Sequence, residues 1–532
     1  MAHQRRVERL FAHLVAAGTP GGGVVHVGDV SSALANVRPG DDDVDVVDVD
    51  TSPFIEGAFR PRADEADVEF AIEAVEGSFP VGLSGTLLRI GPNPRFDFSG
   101  KPYHPFDGDG MIHSVCFSRD GSTARYVNKW VRTKALENEA SKGYSFSVIG
   151  EMNSLKQTNN FNWVPHVSNS DNIGRANTAL AYHEGTGRLF ALFEVDYPYE
   201  VEIDSLETLG RVEAFAGEAL KYATFTAHPK VCATTGEMIF FGYINGPKDG
   251  PWLHYGVVSA SGELVRNFPV RIPAPVMMHD LAITKNYSIF FDYNLRYNDV
   301  SKLMSGEAQE MYVHAADIPA RFGVLPRYAR SDADIIWIDT SPCVVFHFAG
   351  AFEEADGKHI TIVGSKASAI SLENIDSDDS GRGGFFSLWR LNIETGKCVE
   401  EKILAPGLHC DFAQIPADMI GKKIRYAYAA TFCAGFTVDG VVKFDLLNGT
   451  SNVLKYPSPK REGTTVYGGE SMFVRRSSHT SEDDGWLLSF TYNDPRCPSS
   501  IDIVDAKTMR HICRVALPKR VPAGFHAAWV GS

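Results

Sequence analysis

Short β-rich runs that follow a turn signal recur along most of the chain. A Thr-Gly or Asp-Gly pair supplies the positive φ that a tight hairpin needs, and β-branched and aromatic residues follow it. The pattern is clearest in GTGRLFALFE (185–194), TTGEMIFFGY (234–243), ASGELVRNFPV (260–270), ADGKHITIVG (355–364), DGVVKFDL (439–446) and DDGWLLSFTY (483–492). These hairpins predict an all-β fold. Their irregular spacing suits a β-propeller with loop insertions or a series of sandwiches.

Few segments have helical periodicity. The best candidates are 133–140 and 301–311. Residues 19–53 are glycine-rich and then acidic, with little to bury, so we predict a flexible N-terminal extension over 1–53 and a single compact domain over 54–532. The basic segment at the start carries apolar residues at helical spacing. An organelle presequence, a membrane-surface helix and a plain N-terminal helix remain open for it.

Composition narrows the class of protein. A net charge of −15 argues against a nucleic-acid partner, which usually requires a basic face. The eight cysteines show no CxxC spacing, which is typical of reduced thiols and predicts a cytoplasmic protein rather than a disulfide framework. No apolar run reaches the roughly 18 residues of a membrane span.

Four of the 17 histidines stand among apolar or small residues, where an unpaired imidazole is costly to bury. They are His228 in TFTAHPKV, His279 in PVMMHDLAIT, His347 in VVFHFAGAFEE and His526 in PAGFHAAWV. Each taken alone is typical of a hydrogen-bonded core histidine. In a propeller, however, the inner strands converge on one axis and bring distant residues together. Four imidazoles there would form an all-nitrogen metal site suited to Zn, Cu, Fe or Ni.

Several acids also stand in apolar surroundings. A metal-bound histidine normally donates its second ring N–H to a carboxylate or carbonyl, and Glu194, Glu470 and Asp411 are candidates for this role. The alternative is that they are solvent-exposed acids at strand edges. Asp107 and Asp109 in FDGDGMIH suggest a metal or phosphate loop, but two adjacent glycines favour a structural turn.

A set of ordered motifs resembles the carotenoid cleavage oxygenase family. The motifs are GTLLRIGPNPRFDFSGKPYHPFDGDGMIH, GRANTALAYHEGTGRLFALFE, FTAHPKVCATTGEM, MMHDLAIT, RFGVLPRYA, GKKIRYAYA and RVPAGFHAAWV, and they extend from about Phe54 to the last residues. The resemblance implies a seven-bladed β-propeller with a dome of loops and helices over its iron-bearing face.

The resemblance also implies a site. Its cofactor is a non-haem Fe(II) held by His228, His279, His347 and His526, with Glu194 and Glu470 behind the ligands. The third acid corresponds less clearly to Asp411, which is shorter than the family's usual Glu. The implied reaction is cleavage of a conjugated C=C bond by O₂ to two carbonyl products, with no external reductant. The implied partners are O₂ and an apolar polyene in an aromatic-lined tunnel.

Within the family, PAPVMMHDLAIT and ARFGVLPRYA look most like plant-type enzymes that cleave carotenoids or apocarotenoids, often at the 9,10 or 9′,10′ bonds. Cleavage of 9-cis-epoxycarotenoids or of stilbenes such as resveratrol and lignostilbenes, an isomerohydrolase and a non-enzymatic scaffold are the alternatives. Stilbene enzymes carry a Lys before the acid that matches Glu194. Here the position is Phe193, which favours an apolar polyene.

The cellular setting is the least determined. Segment 141–172 is largely polar, which argues against deep insertion into a membrane and leaves a weak surface attachment open. We therefore expect a cytoplasmic or membrane-peripheral protein, with organelle targeting by the N-terminus as the alternative. The oligomeric state is open, and a monomer is favoured.

Overall fold

A computed structural model describes residues 55–532 apart from 56, 97–102, 146–173, 217–223, 244–250, 298–311, 316, 371–382, 434–435, 458–465, 477–480 and 493–497. The predicted N-terminal extension over 1–53, the predicted helix over 301–311 and most of the polar segment 141–172 lie outside these residues. Within them, no helix has the length and apolar character that crossing a bilayer demands.

Most of the described chain is β-strand, which confirms the all-β prediction. In the first half, the strands are β1 (Ala66–Ala71), β2 (Ala74–Gly77), β3 (Gly85–Pro92), β4 (Gly110–Phe117), β5 (Thr123–Trp130), β6 (Ala179–His183), β7 (Arg188–Leu192), β8 (Tyr199–Val201), β9 (Thr208–Arg211), β10 (Lys230–Val231), β11 (Met238–Tyr243), β12 (Leu253–Val258) and β13 (Leu264–Val270).

The second half continues in the same way. Its strands are β14 (Ala282–Ile283), β15 (Tyr287–Asp292), β16 (Leu295–Tyr297), β17 (Tyr312–His314), β18 (Ala320–Pro326), β19 (Ile336–Thr340), β20 (Val344–Glu353), β21 (His359–Ala367), β22 (Gly384–Asn392), β23 (Lys397–Ile403), β24 (His409–Gln414), β25 (Tyr426–Phe432), β26 (Val438–Asp445), β27 (Thr450–Lys455), β28 (Tyr467–Gly468), β29 (Met472–Arg475), β30 (Gly485–Tyr492), β31 (Ser500–Asp505), β32 (Arg510–Ala516) and β33 (Ala527–Gly531).

Helices are short and few. The predicted helix over 133–140 is present as α1 (Lys134–Lys142). The Thr133 hydroxyl accepts from the Leu136 N–H at its start, and Gly143 ends it in the left-handed conformation. The described residues also contain five 3-10 helices: Gly57–Phe59, Pro105–Asp107, Glu213–Ala216, Asp332–Asp334 and Ala417–Met419.

All six predicted β-runs contain a strand, namely β7, β11, β13, β21, β26 and β30. In the first four, the glycine of the turn has positive φ, for example +68° at Gly236. The turn signal is wrong in the last two. Gly440 and Gly485 lie inside strands, where a Cβ at Gly440 would stand 2.3 Å from the Leu454 carbonyl oxygen. Glycine is needed there for close approach of a neighbouring strand.

The strands pair antiparallel in groups that are mostly consecutive in the sequence. Three four-stranded sheets are β6 to β9, β10 to β13, and β14-β15-β18-β19. A longer hydrogen-bonded path contains β20 to β23, β24 to β27 and β28 to β32, and it ends on β2. The last strand, β33, pairs with β3 in a five-stranded sheet, so the two ends of the described chain meet.

The largest core cluster lies behind β20, the strand that carries His347. Phe291, Phe322 and Trp389 pack there, with the Phe291 and Phe322 ring centroids 4.4 Å apart. Phe348 joins them and is almost fully buried, while its neighbour His347 belongs to the opposite face of β20. Strand alternation therefore anchors β20 in apolar packing on one side and leaves its other face for His347.

The FDGDGMIH segment has a structural role, running from the 3-10 helix Pro105–Asp107 into β4. Its glycines serve close packing rather than unusual backbone angles, because Gly108 has a φ of −72° and a Cβ at Gly110 would stand 2.1 Å from the Ala176 carbonyl oxygen. Arg175, with 1% of its side chain exposed, pairs with Asp109 at 3.1 Å and also with Glu139 of α1. The Asn177 amide donates to the carbonyl oxygens of Phe106 and Gly108. Asp109 is thus held by an arginine. Cys116, Cys232, Cys343, Cys398, Cys410 and Cys513 are free thiols.

Replacing Arg175 tests this ion cluster. Arg175→Met leaves two buried carboxylates without their cation, so we expect a loss of about 3–5 kcal/mol in the free energy of unfolding, measured by denaturant titration. Arg125→Met is the matched control, because its pair with Asp67 is exposed and we expect a loss of about 1 kcal/mol or less. Equal losses in the two variants would contradict the structural role of the Arg175 cluster.

Candidate metal centre

The four candidate histidines stand at end strands of four different hydrogen-bonded groups. His228 precedes β10, His279 precedes β14, His347 lies in β20 and His526 immediately precedes β33. The four side chains therefore reach a common centre from four different groups of strands. Sequence separation is therefore no obstacle to their contact.

The structure brings these histidines into one cluster. Their candidate ligand atoms all lie within 4.8 Å of one another. The Nε2 atoms of His228 and His279 are 2.9 Å apart, and those of His279 and His347 are 3.3 Å apart. The His526 ring centroid lies 4.7 Å from that of His347. All four residues are 8–9% exposed, so the cluster is largely shielded from solvent.

Three of these histidines present their second ring nitrogen to a predicted acid. Nδ1 of His279 lies 2.6 Å from Glu194 Oε1, Nδ1 of His347 lies 2.8 Å from Asp411 Oδ1, and Nδ1 of His526 lies 3.1 Å from Glu470 Oε1. Glu470 also accepts the Ala527 N–H at 2.6 Å. Carboxylates in this position fix the ring orientation and place the proton on Nδ1, which leaves the Nε2 lone pair facing the centre.

The remaining ligand candidate is oriented through the backbone. The His228 N–H donates to the Thr226 hydroxyl oxygen at 3.1 Å, and the Thr226 hydroxyl donates to the His279 carbonyl oxygen at 3.4 Å. Thr226 therefore links the segments that carry two of the histidines.

Burial keeps two of the imidazoles neutral. It lowers the pKa of His228 and of His347 well below the usual value, and the neighbouring histidines lower both further. A neutral imidazole is the form that binds a metal ion.

Burial has different net effects on the pKa values of the three acids. Burial alone would raise the pKa of Glu194 and of Glu470, but the attraction and hydrogen bonds of His279 and His526 outweigh it and lower both pKa values. For Asp411, burial dominates and raises the pKa to about 7, against a smaller opposite effect of the Phe412 N–H. A cation bound at the Nε2 side of the His347 ring would favour the ionised form of Asp411, which lies at Nδ1 of the same ring.

The donor arrangement fits a metal ion. Nδ1 of His347 is hydrogen-bonded to Asp411 and Nδ1 of His526 to Glu470, and a ring with its proton on Nδ1 presents a bare Nε2 lone pair to the other histidines. Two buried acceptors cannot satisfy each other, whereas a cation between them satisfies both. Four neutral nitrogens suit Fe as well as Zn, Cu or Ni.

Asp411 reaches its partner despite its short side chain. It lies in β24, where the pairing with β25 shifts register between Asp411 and Gln414. The next residue, Phe412, has φ +52°, an unusual conformation for a non-glycine residue. The bulge redirects the backbone, so a carboxylate one methylene shorter than the family's Glu still meets the His347 ring.

Aromatic side chains surround the histidines, and the sequence reading did not single them out. Phe346 lies 5.1 Å from the His279 ring, and Phe412 stacks on the His347 ring at 5.4 Å. Phe412, Phe436 and Phe525 then follow one another at centroid distances of 6.0 and 6.1 Å. Three of these four adjoin a predicted site residue in the sequence, which is the signal that could have found them.

Phe193 is the predicted pocket residue. It follows β7 directly and is half-buried beside Glu194. Its backbone carbonyl accepts the Asp196 N–H. Its place next to an acid that touches His279 is compatible with a pocket role, which stays a prediction.

Comparison with known proteins places the chain among relatives of one kind. The family model described as Retinal pigment epithelial membrane protein matches residues 59–531. The carotenoid 9,10(9',10')-cleavage dioxygenase 1 of Arabidopsis thaliana is 36% identical over 507 residues, covering 90% of this chain and 89% of that protein.

Solved structures agree on the fold. The cobalt-substituted Synechocystis apocarotenoid oxygenase superposes with a TM-score of 0.73 at 25% identity, covering 89% of this chain and 97% of that one. The lignostilbene dioxygenase of Pseudomonas brassicacearum gives 0.75 at 23% identity, covering 90% and 99%, and so supports the fold alone. With a family match over residues 59–531 and a relative 36% identical across nine-tenths of its length, this chain belongs to the retinal pigment epithelial membrane protein family, the family of the carotenoid cleavage oxygenases.

Proposed function

We propose that this protein is an Fe(II) dioxygenase that cleaves one conjugated C=C bond of a carotenoid or apocarotenoid with O₂. The observation that carries the proposal is the buried cluster of four histidines, three of them backed by carboxylates. Both oxygen atoms enter the products, one on each alkene carbon, so two carbonyl compounds form and no external reductant is needed.

His228, His279, His347 and His526 would hold the iron, and Glu194, Asp411 and Glu470 would orient three of these ligands. Iron bound there supplies the means to activate O₂. The cobalt-substituted structure of the Synechocystis relative supports a metal ion in a protein of this fold.

The chain's own share of the reaction is positioning and exclusion of water. Phe346, Phe412, Phe436 and Phe525 present apolar faces around the histidines. Such faces bind a polyene by burying its apolar surface and hold one double bond beside the centre. They also keep water from the reacting carbons.

We also propose that the sheets form a seven-bladed propeller. The strand pairing supports seven groups: β33-β3-β4-β5-β1, β6 to β9, β10 to β13, β14-β15-β18-β19, β20 to β23, β24 to β27, and β28 to β32 with β2. Convergence of His228, His279, His347 and His526 from four of these groups is what a propeller axis would produce. A loop and helix dome over that end stays a prediction.

A polyene is favoured over a stilbene by Phe193, which cannot hydrogen-bond a phenol, and by the Arabidopsis relative that is named for 9,10 cleavage. Cleavage of a stilbene or of a 9-cis-epoxycarotenoid on the same fold is the second candidate. A monomer with at most weak membrane-surface attachment and a cytoplasmic location remains our expectation.

Removing one ligand tests the metal site. His279→Ala deletes the imidazole that lies within 3.3 Å of two others, so we expect iron content, measured by elemental analysis, to fall from about one per chain to near zero. His183→Ala is the control, because His183 is buried but bonds Thr186 and Gly236, and it should keep its iron. Normal iron in His279→Ala would refute the ligand assignment.

Product identification tests the reaction. Iron-loaded protein receives a carotenoid, an apocarotenal and resveratrol together, with and without O₂, and the products are analysed by mass spectrometry. We expect aldehyde or ketone fragments of the polyene only with O₂, each carrying one oxygen atom from ¹⁸O₂. Cleavage of resveratrol alone would transfer the protein to the stilbene branch, and no product at all would favour an isomerase or a scaffold.

Phe193→Lys tests the pocket. A lysine ammonium beside an apolar substrate loses hydration without a partner, so we expect polyene cleavage to fall by roughly tenfold or more in kcat/KM, a cost of ~1.4 kcal/mol. Phe193→Leu keeps an apolar side chain and should retain most of the activity. Unchanged polyene cleavage in the lysine variant would remove Phe193 from the pocket.

A further inference from the structure

Asp280 directly follows the ligand candidate His279 in the sequence. Its side chain is 1% exposed. One oxygen, Oδ1, accepts the Leu281 N–H at 2.7 Å, and the other, Oδ2, accepts the Phe348 N–H at 2.9 Å. Phe348 is the residue after His347. A single carboxylate therefore ties the segment of one ligand candidate to the strand of another.

A third segment joins through an ion pair. Lys230 Nζ lies 2.7 Å from Asp280 Oδ1, and Lys230 stands two residues after His228. The lysine is 20% exposed, so its stem is packed and its charge is largely neutralised by Asp280. Asp280 thus contacts the chain next to His228, His279 and His347 at the same time.

The hydrogen bond from the Phe348 N–H to Asp280 stabilises a part of β20 that has few strand–strand hydrogen bonds. β20 is the outermost strand of its hydrogen-bonded path, and its pairing with β21 shifts register between Val345 and Phe348, around His347. The ordinary strand ladder therefore fixes this stretch weakly. The Asp280 carboxylate supplies the acceptor for the Phe348 N–H, which a neighbouring strand would otherwise provide.

We propose that Asp280 and Lys230 are a positioning pair that sets the spacing of His228, His279 and His347 in the metal centre. This role differs from that of Glu194, Asp411 and Glu470, which orient individual rings through Nδ1. Asp280 touches no imidazole in this scheme and acts through the backbone. The inference rests on the proposed metal site.

The chemistry of the side chains explains why these two types are needed. A carboxylate has two acceptor oxygens, so it accepts the Leu281 N–H on one and the Phe348 N–H on the other. Asparagine has the same shape but one acceptor, and its NH₂ would face an N–H donor. An unpaired buried carboxylate is costly, and Lys230 removes that cost.

The experiment is Co(II) binding to the metal-free full-length protein, followed by calorimetry and by the visible spectrum of bound cobalt, which reports ligand geometry. We compare wild type, Asp280→Asn, Lys230→Met and Lys230→Arg. Asp280→Asn should weaken Co(II) binding by roughly 10- to 100-fold and alter the spectrum. Lys230→Met should act in the same direction with a smaller loss, and Lys230→Arg should bind like wild type.

The pair should also behave as a unit. The double variant Asp280→Asn/Lys230→Met should bind Co(II) no more weakly than Asp280→Asn alone, because both substitutions remove the same interaction. If Asp280→Asn does not fold, the partly exposed Lys230 keeps the test open through its Met and Arg variants.

Asp502→Asn is the matched control for a merely structural role. Asp502 is also fully buried and pairs with His511 and Arg514 in the last strand group. It should lose thermal stability but keep the cobalt affinity and spectrum. Wild-type binding in Asp280→Asn, or an equal loss of affinity in Asp502→Asn, would overturn the positioning role. A wild type that binds no cobalt would overturn the metal site together with this inference.

Discussion

The hydrogen bonds from Nδ1 of His347 to Asp411 and from Nδ1 of His526 to Glu470 favour the ring tautomer whose bare Nε2 lone pair faces the other histidines. Buried acceptors of this kind cannot satisfy one another, whereas a cation held among them would. Burial keeps His228 and His347 neutral, and Glu194, Glu470 and Asp411 prevent their partner rings from turning away.

The antiparallel sheets are the device that makes such a cluster possible. β20, which carries His347, is anchored on its other face in an aromatic core formed by Phe348, Phe322 and Trp389. The carboxylates near this centre act in two ways. Glu194, Asp411 and Glu470 contact imidazole rings, whereas Asp280 accepts hydrogen bonds from backbone N–H groups.

The sequence carried the all-β class, the hairpins, helix α1 and the four histidines with their three acids, because each depends on local turn chemistry or on a polar residue in apolar company. It could not show that the four histidines meet, since contacts over 51 or 68 residues depend on the order of the sheets. It left Asp411 in doubt because the bulge and the positive φ at Phe412 have no local signature. Gly440 and Gly485 were misread as turn residues for the same reason, since a tight interstrand approach and a turn both select glycine.

The pairing of β3 with β33 has a consequence for folding. It joins Gly85 to Gly531, two residues separated by nearly the whole length of the described chain. Because closing so long a loop costs conformational entropy, such a contact is slow to form. His526 directly precedes β33, so this pairing helps to place it in the cluster. Any metal captured earlier would meet three histidines, whereas the fourth adds its share of binding energy only to the closed arrangement. A bound ion would then slow unfolding by retarding the separation of β3 from β33.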